Sequence, residues 1–137
     1  MSVISELIRT EEDGTISFGD YTLGSKTKKD QFMHDGDSYK VKTFHEITRL
    51  ECNGLFVYES VPGTAVNNLY VREDEMGFHV EGTEDAKITV GLSESTEYEV
   101  QINGENAGTM QTNLGGKLTV SVELEAGHPS QVVIRKK

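Results

Sequence analysis

His34, Asp35 and Asp37 crowd an imidazole and two carboxylates into one short segment. Two aspartates around a glycine can offer oxygens to calcium, a hard cation that takes several at once. The complete loop pattern of a calcium hand is absent here. Asp35-Gly36-Asp37 also fits an ordinary turn, because aspartate and glycine both tolerate tight backbone angles. A second set is Tyr70, Arg72 and His79. Tyr70 alternates with Leu69 and Val71, and His79 lies between Phe78 and Val80, so both point away from apolar rows. The three supply a ring for stacking, a fork of donors, and an imidazole that can donate or accept. That combination suits a carbohydrate, although ordinary outward strand positions carry the same residue types.

Other reactive side chains form weaker patterns. Cys52 needs a base and a thiolate-favouring site to act as a nucleophile. Its neighbour Glu51 has the wrong charge for that, and whether His45 approaches it is not written in the sequence. His128 falls in a turn. Carboxylates cluster at Glu11, Glu12, Asp13, Glu73, Asp74, Glu75, Glu94, Glu97 and Glu99. A glycoside hydrolase needs two of them at a set separation, which spacing alone does not select. There is no Gly-rich phosphate loop, no nucleophile elbow and no zinc-type cysteine pattern, so no cofactor is expected.

Such residues need a scaffold, and composition bounds it. The chain has 137 residues, a common size for one domain, and it is read as one domain over its full length. Lysine and arginine total 13 against 23 aspartates and glutamates, a net charge of −10. That balance argues against nucleic acid and against anionic membrane surfaces. The partners it leaves are a neutral glycan or another protein. With one cysteine no internal disulfide can form. Met1 to Leu7 contains Glu6 and lacks the basic start and apolar stretch of a signal peptide. A cytoplasmic protein is therefore expected, with a module of a longer secreted chain as the alternative.

The periodicity is that of β-structure. Tyr98, Val100 and Ile102 alternate with Glu99, Gln101 and Asn103. Leu118, Val120, Val122 and Leu124 alternate with Lys117, Thr119, Ser121 and Glu123. Asn53-Gly54 and Asn103-Gly104 are hairpin turns. Glu12-Asp13-Gly14 turns a hairpin over Ile8 to Phe18, setting Ile8 opposite Phe18 and Thr10 opposite Ile16. Before it, Ser2 to Arg9 fits either a short helix or a strand. Gly24 to Lys29 reads as a loop, and Glu75-Met76-Gly77 as the turn between Asn67–Arg72 and Phe78–Glu81. Ala107 and Met110 break the alternation, and Gly108 between them can host a bulge that turns both inward. About ten short strands at this spacing predict an antiparallel two-sheet β-sandwich, jelly-roll or Ig-like, with a barrel as second choice.

Two resemblances follow from these segments. Tyr98 to Ile134 resembles the β-sandwich end modules of bacterial polysaccharide-acting enzymes. The runs ISFGDYTLGSK and FVYESVPGTAV resemble a group of short bacterial proteins often labelled endosialidase. Both imply a glycan context. Sialidases hold the substrate carboxylate with three arginines, attack with tyrosine and carry Ser-x-Asp-x-Gly-x-Thr-Trp boxes. This chain has Arg9, Arg49, Arg72 and Arg135, no tryptophan and no such box, so no sialidase residue carries over. The resulting expectation is a small binding or accessory module, with a carbohydrate as the ligand class. The alternatives are an interaction domain without a small ligand and, third, a glycan hydrolase.

Overall fold

The structure, a computed structural model, describes residues 3–137. Met1 and Ser2, which open the N-terminal segment read above, lie outside the described residues. From Ile4 to Leu7 the chain makes a turn closed by Leu7 N–H donating to the Ile4 carbonyl at 2.9 Å, not a helix. Among the described residues no helix is long and apolar enough to cross a membrane.

Among the described residues, thirteen strands form two antiparallel sheets. They are β1 (Ile8–Thr10), β2 (Ile16–Phe18), β3 (Thr27–His34), β4 (Asp37–Phe44), β5 (Ile47–Cys52), β6 (Leu55–Val61) and β7 (Ala65–Val71). After these come β8 (Glu75–Glu81), β9 (Ala86–Gly91), β10 (Glu97–Ile102), β11 (Glu105–Gln111), β12 (Lys117–Val122) and β13 (Ser130–Lys136). One sheet has the order β1-β2-β7-β8-β13-β10-β11, and the other β12-β9-β6-β5-β4-β3. The sheets stay open at their edges, so the architecture is the sandwich and not the barrel.

Local chemistry sets the hairpins. Asp35-Gly36, Asn53-Gly54 and Asn103-Gly104 each place two successive residues at positive φ, between 50° and 82°. That twist matches the twist of the flanking strands, which is why Asn-Gly and Asp-Gly dominate two-residue hairpins. Asp37 is thus the first residue of β4, paired with His34. The first hairpin has the expected register, Ile8 opposite Phe18 and Thr10 opposite Ile16.

Alternation then fills the core. Leu118, Val120 and Val122 of β12 are buried while their neighbours face solvent. Tyr98 and Val100 of β10, and Val132 and Ile134 of β13, do the same from the opposite sheet. Phe18, Tyr58 and Phe78 meet edge to face, with ring centroids 5.3 and 5.5 Å apart, and bridge the sheets.

Four expectations are corrected. β3 begins at Thr27, inside the segment read as a loop, and β9 is a further strand. The β7–β8 turn is Arg72-Glu73-Asp74, so Glu75-Met76-Gly77 belongs to β8. A bulge does lie at Gly108, where the register slips between Val100 and Gln101. It leaves Ala107 exposed instead of turning it inward, while Met110 is half-buried.

Candidate functional site

His34, Asp35 and Asp37 of one candidate set, and Tyr70 and Arg72 of the other, come from different sheets, yet they line one open cleft of about 390 Å³. Three chain segments build it. The β1–β2 turn contributes Asp13 and Thr15, the β3–β4 hairpin contributes His34, Asp35, Asp37 and Tyr39, and the end of β7 contributes Tyr70 and Arg72. The hairpin tip is tied across the sandwich, because Thr10 Oγ1 of the first sheet lies 2.9 Å from His34 Nδ1 of the second.

Each polar group in the cleft is oriented by a protein partner. Asp13 accepts hydrogen bonds from the Thr15 hydroxyl at 2.6 Å and the Thr15 N–H at 3.0 Å. The Thr15 hydroxyl bond, followed by the Thr15 backbone bond, holds the Asp13 carboxyl below the usual carboxylate range. Asp37 accepts from Asn53 Nδ2 at 2.9 Å, while Asn53 Oδ1 accepts from the Ser38 N–H, also at 2.9 Å. His34 presents Nε2 to Asp35 at 3.4 Å. Asp35 and Asp37 therefore already have protein partners, and among the described residues no three His, Cys, Asp or Glu side chains gather to hold a metal ion. Calcium, which wants many oxygens, gets only these two carboxylates from the hairpin.

Tyr39 is the residue that periodicity misses. Its alternation with Val41 places it in an apolar row, but it sits near the mouth of the sandwich and is only half-buried. It lines the cleft and also a neighbouring cavity of about 290 Å³ formed with Cys52, Val57, Leu69 and Val71. Burial, then a hydrogen bond to Cys52, pushes the Tyr39 hydroxyl well above the ordinary tyrosine range, so it stays a neutral donor. Cys52 meets Tyr39 across the β4–β5 ladder. His45 lies in the turn at the opposite end of β5, which removes it as a base for that thiol.

Tyr70 has a structural task that its sequence position conceals. Its ring lies over Gly77 on β8, where an added Cβ would stand 2.5 Å from Cζ and from the hydroxyl oxygen. The Tyr70 hydroxyl donates a short hydrogen bond to Glu75, and Arg135 Nε reaches the same carboxylate at 2.9 Å. The Arg72 guanidinium covers the ring at 4.5 Å from its centroid. A sugar stacking flat on Tyr70 must first displace Arg72. Burial and the Glu75 bond raise the Tyr70 hydroxyl above its ordinary value, and the Tyr70 bond followed by Arg135 lowers Glu75. Replacing Gly77 by alanine is therefore expected to push the Tyr70 ring off β8 and break its bond to Glu75. The cost should be about 1–2 kcal/mol of stability, as for a modest overpacking change. Chemical unfolding measures the loss, and the Tyr70 ring resonances report the displacement.

His79 stays apart. It is exposed, faces Asn67 and Gln131 across its two ladders, and does not line the cleft. His128 forms an isolated bridge with Glu125 in the loop before β13. No protein-family model, no curated protein and no solved structure matches this chain.

Proposed function

We propose that this chain is a small ligand-binding β-sandwich that takes a neutral saccharide in the cleft between the β3–β4 hairpin and the end of β7. The observation that carries this reading is the convergence of Asp35 and Asp37 with Tyr70 and Arg72 on one cleft, from separate sheets. Sugar hydroxyls donate to carboxylates and accept from a guanidinium or a neutral phenol. Asp13, Asp35 and Asp37 supply the acceptors, and Arg72 and Tyr39 the donors. Three carboxylates against one arginine disfavour an anionic ligand. The resemblance of Tyr98 to Ile134 to end modules of polysaccharide-acting enzymes agrees with a glycan.

Titration of the labelled protein with neutral oligosaccharides, followed by NMR, tests the proposal. Shifts should gather on Asp13, Asp35, Tyr39 and Arg72. Arg72→Ala and Asp35→Asn should each weaken binding on the order of tenfold, as charge-assisted hydrogen bonds are lost. His79→Ala should bind like the unmodified protein. No binding at millimolar sugar, or shifts confined to other surfaces, would overturn the reading.

A further inference from the structure

The chain is strongly acidic, yet its cations are not spread evenly over the sandwich. Cross-strand partners point to the same side of a sheet, so the ladder register reads out what the outer face of the six-stranded sheet presents. One row runs Lys28, Lys42, Arg49 and Glu59 across β3, β4, β5 and β6. The next row sets Lys40 opposite Glu51 and Glu51 opposite Phe56, and Lys117 lies opposite Gly91. Lys87 adds a further cation, opposite Val61 and Ser121. At its paired positions this face thus sets six cations against two carboxylates, with Asp30 exposed in the β3 bulge beside them, in a chain where carboxylates outnumber cations 23 to 13.

The two carboxylates are both engaged by one cation. Arg49 donates to Glu51 at 3.1 Å and to Glu59 at 2.7 Å. Lys28 and Lys42 form no ion pair among the described residues. They stand directly opposite each other, and Lys42 stands directly opposite Arg49. Like charges at opposed positions destabilise a sheet. Arg49 is balanced by its two carboxylates, so the penalty falls on the facing pair Lys28 and Lys42, and it is relieved when an anion lies across them.

We propose that this face binds a linear acidic polysaccharide, a chain with carboxylates on successive sugar rings. Lys28 sits on the edge strand β3 and Lys117 on the opposite edge strand β12. Five inter-strand steps of about 4.8 Å make the basic stripe about 24 Å wide, suited to an extended chain. A protein partner fits less well, because interface centres are depleted in lysine. A nucleic acid also fits less well. Single strands bind by stacking bases on open aromatic rings, and the Phe56 ring is already taken by Arg49 at 5.1 Å and Lys117 at 4.6 Å from its centroid. Lysine heads act as point charges with no demand for bidentate geometry, as a flexible chain requires.

Calorimetry and affinity electrophoresis with polygalacturonate, matched against neutral dextran, single-stranded DNA and polyglutamate, decide the matter. Polygalacturonate should bind at about 50 mM salt, weaken steeply towards about 200 mM as counterion release predicts, and exceed the other three. Lys28→Glu with Lys42→Glu should cut its affinity on the order of tenfold. Lys117→Glu, at the other edge, should also weaken it, which guards against a local folding defect in β3. Arg72→Ala, in the cleft, should leave it unchanged, so failure of the saccharide cleft and failure of this face are separable. Equal binding of DNA or polyglutamate, unchanged affinity of the double charge reversal, or loss in Arg72→Ala would each overturn the proposal.

Discussion

Val120→Asp should leave the protein unfolded at room temperature. Val120 is 2% exposed on β12, paired with Ile88 of β9, and belongs to the core shared by both sheets. The aspartate would bring a charge with no cation beside it into that core. The effective penalty is several kcal/mol per buried ion, against a total stability of about 5–15 kcal/mol for a domain. Far-UV circular dichroism should show loss of the β signal, and no cooperative melting transition should remain. Thr119→Asp, one residue earlier on the solvent side of the same strand, is the control; it loses a hydroxyl contact with Thr89 and some strand propensity and should cost only about 1 kcal/mol, leaving the fold intact. A Val120→Asp protein that melted like the parent would mean that β12 is shifted by one residue, exchanging its two faces.

The same alternation explains how far the fold is legible in the sequence. β12, β10 and β13 are each covered by the opposite sheet, so inward and outward residues must differ and the period of two is plain. β3 is an edge strand, and six of its eight residues are exposed. With almost no buried face it has nothing to alternate, and Thr27, Lys28 and Lys29 imitate a loop. The β7–β8 turn is displaced for another reason. Gly77 looks like a turn glycine, but it is a strand residue whose missing side chain makes room for the Tyr70 ring. A glycine in sequence records only that a Cβ is not tolerated, and a close ring produces that signature as well as a positive φ does.

The candidate site is legible in its parts and not in its assembly. Asp35, Asp37, Tyr70 and Arg72 stand out as residue types at turns and outward positions. That they share a cleft depends on how the end of β7 meets the β3–β4 hairpin across the sandwich, a contact between segments more than thirty residues apart. Tyr39 escapes because alternation gives the side of a strand but not the distance to its end. His79 is drawn into the Tyr70 set by parity alone. The bulge between Asn67 and Tyr70, with Asn68 at a φ of 59°, sets Tyr70 opposite Gly77 on the outer face, and His79, opposite Asn67, stands one pair further along the ladder from the cleft.

Thr64→Val should be the most costly of the near-isosteric core changes, because Thr64 is the hub of a buried hydroxyl network. Its Oγ1 lies 2.8 Å from the Tyr58 hydroxyl and 2.7 Å from Ser60 Oγ. The Thr64 main chain exchanges two bonds with Thr48 Oγ1, at 2.8 and 3.0 Å. Thr48 in turn meets Thr43, whose hydroxyl accepts from the Asp20 N–H at 2.9 Å. Tyr58, Ser60, Thr48, Thr43 and Thr64 are fully buried, and burial pushes the Tyr58 hydroxyl well above the ordinary tyrosine range. Valine keeps the shape and removes the oxygen that serves both Tyr58 and Ser60. Each buried hydroxyl deprived of its partner costs about 1–3 kcal/mol, so the variant should lose about 3 kcal/mol. At about 3–4 °C per kcal/mol for this length, the Tm should fall by about 10 °C. Tyr58→Phe alone should cost less, because Thr64 keeps Ser60 as a partner. Combined with Thr64→Val, Tyr58→Phe removes one of the orphaned hydroxyls, and the double variant should be no less stable than Thr64→Val alone. Strict additivity of the two losses in chemical unfolding would show that the hydroxyls act independently and that Thr64 is not the hub.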